Sequence, residues 1–218
     1  MDNLYNKFLE YLNQENKEQA VELMLKAFIK AENDVDIINL YKNVLQKSIN
    51  DMTCNLADKK ICIWKEHIRS SIIRTILECA YPHIVRIKNN LQRQYKGKVT
   101  VVCPDGEYHE IGARMVSDYF MLAGYSSIYV GASTPKSEFI YAINEIKPDV
   151  VALSITNYYN FISAERTIKE IRKNSLKNIK IIVGGTAFLN NPNAYKDIGA
   201  DYLLNEYEEI LAFSKEEN

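Results

Sequence analysis

The chain has no glycine before Gly97, while all eight of its glycines lie from there onward. Glycine is the residue that most readily takes up left-handed turn conformations, so its absence argues against a turn-rich or hairpin-rich first half. Apolar residues recur there at helical spacing instead, as in Leu4, Phe8 and Leu12 and then Val21, Leu25, Phe28 and Ile29. The spacing predicts helix throughout, with breaks near residues 13–16, at Asn33-Asp34, around residues 50–55, and at Pro82, where proline opens a new helix rather than sitting inside one. Four or five helices packed as a bundle follow for residues 1–95. Charge of one sign is also lacking: the formal net charge is -1 and the pI is near 6.3. There is no basic footprint for nucleic acid or for an anionic membrane, so neither is expected as a direct partner. No apolar run approaches the roughly 20 residues that a membrane-spanning helix needs. The four cysteines, Cys54, Cys62, Cys79 and Cys103, form no CxxC pair and no zinc-type spacing, and the opening segment from Met1 to Lys7 is too polar for a secretion signal. Reduced thiols and a cytoplasmic location are the expectation.

Beyond Gly97 the pattern changes to short β-branched runs alternating with amphipathic stretches, as expected of a parallel sheet covered on both faces. Five strands are predicted: Lys98 to Cys103, Ser127 to Gly131, Asp149 to Ile155, Ile179 to Val183 and Tyr202 to Leu204. A helix-like segment follows each, such as the one carrying Ile111, Met115, Tyr119 and Leu122. Residues 96–218 therefore read as a doubly wound, flavodoxin/Rossmann-like domain, in which ligands bind beyond the carboxyl ends of the strands. The two halves together make an α/β chain with a helical bundle first. A junction near Tyr95 to Gly97 without a Pro/Ser-rich linker is expected to let them pack together.

The loop after the first predicted strand holds Glu107, Tyr108, His109, Glu110, Ile111 and Gly112. One nitrogen of a neutral imidazole binds a transition metal while a carboxylate on the other fixes the tautomer, which makes His109 the candidate metal ligand and Glu107 its support. Gly112 leaves room for a flat group. The turn signal Pro104-Asp105-Gly106 is equally compatible with a solvated histidine in a connecting loop. On the same rim, Ser154 and Thr156 end the third strand, either as hydrogen-bonding hydroxyls or as helix caps. Gly184, Gly185 and Thr186 follow the fourth, where the glycines serve either a close ligand or a tight turn. Gly131 to Pro135 reads as a structural helix start.

Taken together, the order Glu107-x-His109-x-x-Gly112, Ser154-x-Thr156 and Gly184-Gly185 resembles the cobalamin-binding domains of the flavodoxin-like fold. The resemblance spans nearly the whole second half and implies that His109 ligates cobalt from below, base-off and His-on. The cofactor's nucleotide tail would then run past Ser154 and Thr156 to the glycine pair. Methyl-carrying corrinoid proteins usually have Asp at the first motif position and Lys after the glycine, where this chain has Glu107 and Ala113. The pattern looks more like that of the cobalamin-sensing regulators, including light-sensing repressors of the MerR type. Those sensors carry a tryptophan ten residues before a Glu-His pair in a helical cap. Glu66-His67 resembles the pair, but the residue ten before Glu66 is Leu56, and Trp64 is the candidate substitute because positions 64 and 67 share a helix face. Core packing is the competing role for Trp64, and a solvated helix face for Glu66 and His67. His83, after Pro82, is assigned a capping or surface role.

The reading is a non-enzymatic cobalamin sensor. It favours adenosylcobalamin over methylcobalamin and signals, by lid movement or light-driven loss of the upper ligand, to a protein partner or by self-association. No DNA-binding domain is expected. The alternatives are a corrinoid methyl carrier working with methyltransferases, and an interaction module with an empty crevice.

Overall fold

The computed structural model describes residues 1–51, 59–175 and 178–216. The chain divides into two compact units, Met1–Gln92 and Arg93–Asn218.

The first unit is helical. Helix α1 spans Asp2–Asn13 and α2 spans Lys17–Lys30. A third helix starts as α3, Asp34–Leu40, passes through a π turn at Tyr41–Gln46, and ends as α4, Lys47–Asn50. The breaks are polar caps. The Asn16 side chain accepts from the Gln19 amide, and Asn33 and Asp36 form a reciprocal capping box. Phe8, Leu12, Met24, Phe28, Tyr41 and Leu45 are fully buried. In α2 the inward face is Ala20, Met24 and Phe28, so Val21 and Leu25 flank it and Ile29 is exposed.

Helix α5 runs from Lys59 to Leu91 with Pro82 inside it. The predicted break at Pro82 is therefore absent, and His83 lies in a helix interior rather than a first turn. Pro82 sits on the exposed side, while Ile73, Ile76, Leu77, Ala80, Ile84 and Ile87 are buried on the other. Burial of that row, at about 1.5–3 kcal/mol for each large side chain, outweighs the one ladder bond proline cannot make. Arg86 also donates to the carbonyls of Phe28, Ile29 and Ala31, capping the end of α2.

The second unit holds five parallel strands: β1 (Lys98–Pro104), β2 (Ser126–Thr134), β3 (Val150–Ser154), β4 (Lys180–Gly184) and β5 (Tyr202–Leu203), in the order β2-β1-β3-β4-β5. This is the doubly wound arrangement expected from the alternation of strands and helices. The helices are α6 (Ile111–Leu122), α7 (Lys136–Ile146), α8 (Phe161–Asn174), α9 (Ala194–Asp197) and α10 (Tyr207–Glu216). Strands β1 and β3 are central and buried on both faces, and Val151, Leu153, Ile155, Ile181 and Val183 pack with Ile168, Ala164 and Phe188. Strand β2 extends to Thr134, past the expected end at Gly131. Register shifts against β1 absorb the extra residues, so the segment read as a helix start is mostly strand and α7 begins after Pro135. Arg172 grips both oxygens of Asp201 at 2.7 Å and the carbonyl of Ile179, tying α8 to the β4 edge.

Cys79 and Cys103 are free thiols, but Cys62 is disulfide-bonded, against the expectation of reduced thiols throughout. Motif spacing detects CxxC and zinc patterns and has no power over pairing outside them. Among the described residues no helix is long and apolar enough to cross a membrane.

Candidate functional site

The carboxyl end of β1 turns at Pro104-Asp105-Gly106, where the Glu107 amide donates to the Pro104 carbonyl at 2.9 Å and Gly106 takes a φ of 83°. The turn drives the Glu107 side chain inward, where it is completely buried. Because β3 is the neighbour of β1, the loop after β3 reaches the same carboxylate. One oxygen, Oε2, accepts from the amides of Thr156 (3.0 Å) and Asn157 (2.9 Å) and from the side-chain amide of Asn160 (2.9 Å). The other, Oε1, accepts from the His109 amide at 3.0 Å and contacts His109 Nδ1 at 2.6 Å.

This arrangement fixes the state of the histidine. Burial alone raises the pKa of Glu107, but the hydrogen bonds from Asn157, Asn160 and His109 outweigh it and the pKa is lowered. An ionised carboxylate only accepts, so Nδ1 is the donor, and in the neutral ring the lone pair resides on Nε2. The His109 side chain is 61% exposed, which leaves that nitrogen open to a ligand. Behind it, the Cys103 thiol is buried, and its pKa is pushed up to about 12 by desolvation and then by Glu107 and Glu110, so it is no thiolate ligand. Among the described residues no group of three or more His, Cys, Asp or Glu side chains is placed to hold a metal ion. A single imidazole suits a metal whose other positions are already filled, as in a macrocycle, rather than a bare ion.

The remaining candidates divide. Tyr108 is 73% exposed beside His109, and Ile111 and Gly112 begin α6. A Cβ at Gly112 would meet nothing within 4 Å, so its missing side chain faces open space. Ser154 ends β3 opposite Gly184, and Thr156 follows it. Neither caps the next turn, because the cap is Asn157, whose side chain accepts from the Tyr159 amide. Thr186 is exposed, and its hydroxyl donates to the Thr156 carbonyl at 3.3 Å. Gly184 and Gly185 have an internal explanation: a Cβ would come within 2.3 Å of the Leu204 carbonyl oxygen at the first and of the Ile155 carbonyl oxygen at the second, where φ is also 109°. Both are required by neighbouring backbone whatever else passes over them.

Trp64, Glu66 and His67 belong to the helical unit. Trp64 is 70% exposed, which excludes core packing for it, and Glu66 and His67 are exposed as well. Leu56 lies outside the described residues. Sequence reasoning missed Asn157 and Asn160; the Asn-x-x-Asn spacing directly after Thr156 is the signal that marks them. Tyr158 and Tyr159 between them have ring centroids 4.0 Å apart, tilted at 35°, and are 58% and 70% exposed, so they are not core residues either.

Comparison with known proteins gives the chain's family and likeness of fold. A corrinoid protein of Desulfitobacterium hafniense strain Y51 is 22% identical over 167 residues, covering 76% of each chain. The HTH-type transcriptional repressor CarA of Myxococcus xanthus is 24% identical over 163 residues, 73% of this chain and 53% of the repressor, so this chain spans about half of that relative's length. Among solved structures, the monomethylamine corrinoid protein of Methanosarcina barkeri superposes with a TM-score of 0.79 at 16% identity, covering 99% of this chain and 98% of that one, a likeness of fold. The match to the B12 binding domain covers residues 97–212, taking in the histidine loop, the β3 loop and the glycine pair together, and the chain belongs to that family.

Proposed function

We propose that the chain is a corrinoid carrier in which His109 Nε2 is the lower ligand of cobalt. The single observation that carries this is the buried Glu107 holding Nδ1 of a side chain that is otherwise exposed, so that Nε2 is the nitrogen left for a ligand. The residues fit the group: one available imidazole, open space at Gly112, and the hydroxyl-bearing Ser154, Thr156 and Thr186 at the carboxyl ends of β3 and β4 for a polar tail. Bound there, with His109 holding it, a corrinoid would supply the cobalt chemistry of methyl transfer. Glu107 strengthens the imidazole as a donor, and Tyr108 and Gly112 flank it. The relative matched over 76% of each chain is a corrinoid protein, which favours a carrier, whose partner would be a methyltransferase.

A second reading, an adenosylcobalamin sensor signalling to a protein partner or through self-association, is favoured by Ala113. That position, where methyl carriers resemble one another in having Lys, is fully buried in this chain and closed to a long cation. The match to CarA points the same way. In this reading, substitutions at Trp64, Glu66 and His67 alter the response to light or to the upper ligand.

The test is to mix the protein in the dark with methylcobalamin or adenosylcobalamin, desalt, and record visible spectra and size before and after green illumination. Retention of either, with the lower-ligand spectrum lost in His109→Ala, supports the shared premise. A light-driven size change with adenosylcobalamin selects the sensor, and retention of methylcobalamin with no such change selects the carrier. Failure to retain either corrinoid overturns both.

A further inference from the structure

Among the described residues the buried charged side chains are Asp34, Arg69, Glu107, Arg114 and Asp118. All but one have partners. Asp34 accepts from the Val35 amide at 3.1 Å, Arg114 donates to Asp118 at 2.7 Å, and Glu107 is held by both of its loops. Arg69 differs. It is 7% exposed, its Nε is sealed from solvent without an acceptor, and among the described residues its guanidinium makes no hydrogen bond or ion pair.

The place of Arg69 in α5 explains its burial. It shares a helix face with the buried Ile72, Ile73 and Ile76 and stands one turn after Lys65. Lys65 Nζ already has an anion, Glu15 Oε1 at 2.7 Å, in the turn joining α1 to α2. Of these two neighbouring cations, only the more exposed one is neutralised. A guanidinium cannot relieve its burial by losing a proton. Left without a counter-charge it costs stability, and an apolar side chain of similar length would fill the same place at lower free energy. An oxyanion offsets that cost, because carboxylate and phosphate pair with the fork through two parallel N–H bonds. With Nε closed, the pairing falls to the terminal nitrogens, which keep the contact with solvent that Nε lacks.

We propose that Arg69 is the centre of an anion site in the helical unit, taking the carboxylate or phosphate group of a small ligand on its terminal nitrogens, with Lys65 supplying a second positive charge one turn away. The site depends neither on His109 nor on a corrinoid.

The test uses the full chain as wild type, Arg69→Met and Arg69→Lys, in Tris chloride titrated with sodium phosphate or sodium acetate at constant ionic strength. Two signals are read: the NMR cross-peak of the Arg69 Nε–H, identified by its absence from both variants, and the unfolding temperature. In the wild type at least one of the anions should move that cross-peak along a saturable curve and raise the unfolding temperature. The rise should be lost in Arg69→Met, which before any addition should unfold at a higher temperature than the wild type because the unpaired charge is gone. Saturation by phosphate alone supports a phosphate-bearing ligand, and saturation by acetate supports a carboxylate. A cross-peak that stays in place, or that drifts with salt without saturating, overturns the proposal, and so does an equal rise in unfolding temperature in the wild type and Arg69→Met. If Arg69→Met does not fold, the wild-type titration decides in the same way, with the cross-peak identified from Arg69→Lys.

Discussion

Two loops of the sheet unit carry the glycines of the binding pattern, and they use them in opposite ways. After β1, Gly112 has nothing within 4 Å of where a Cβ would stand; after β4, Gly184 and Gly185 have backbone oxygens at 2.3 Å. The first glycine marks space kept open and the second pair marks space already filled by the fold. The difference teaches that a glycine in a ligand-binding pattern is evidence for a ligand only where the chain itself makes no use of the missing side chain.

Substitutions sharpen the contrast. The largest effect is expected from Glu107→Ala, which leaves the amides of Thr156 and Asn157 and the Asn160 side chain without their acceptor in a buried place. A loss of about 3–5 kcal/mol is expected in urea unfolding, with the histidine freed at the same time. Gly185→Ala comes next at about 2–4 kcal/mol, because the residue holds a positive φ and the new Cβ would collide with the Ile155 carbonyl. A stable Gly185→Ala protein would break the comparison.

Acid should act through the same carboxylate. The folded-state pKa of Glu107 is lowered, so its contribution is fully present above the ordinary carboxylate value and disappears as pH falls through the lower folded value. A stability-pH curve should therefore drop in that acidic window for the wild type and be flatter there for Glu107→Gln. The smallest effect belongs to Gly112→Ala. It should leave thermal stability unchanged or raise it by about 0.5 kcal/mol through helix propensity, while weakening corrinoid retention. Retention equal to the wild type would show that nothing comes close to the open position.

Much of this was legible in the sequence because it depends on local pattern. The β-branched runs placed all five strands to within a few residues, and the turn before Glu107 put His109 at the carboxyl edge. What was not legible depends on distant packing. Asn160 becomes a partner of Glu107 only because β1 lies beside β3, a fact of strand order rather than of either loop. Pro82 stays inside α5 because a buried row on the far side overrides a local helix-breaking signal, and β2 runs on to Thr134 because bulges against β1 accommodate it. The glycine pair was visible, but its steric reason lies in the Leu204 and Ile155 carbonyls, which no motif spacing reveals.

The carboxylate that serves two loops also constrains how this chain can drift over generations. Loss of the acid at 107 would strand the amide at 160 without its acceptor, and loss of the amide would leave that oxygen of the acid to backbone donors alone. Divergent copies of this protein should therefore carry glutamate and asparagine together or abandon them together, so that two positions more than fifty residues apart are inherited as a single trait.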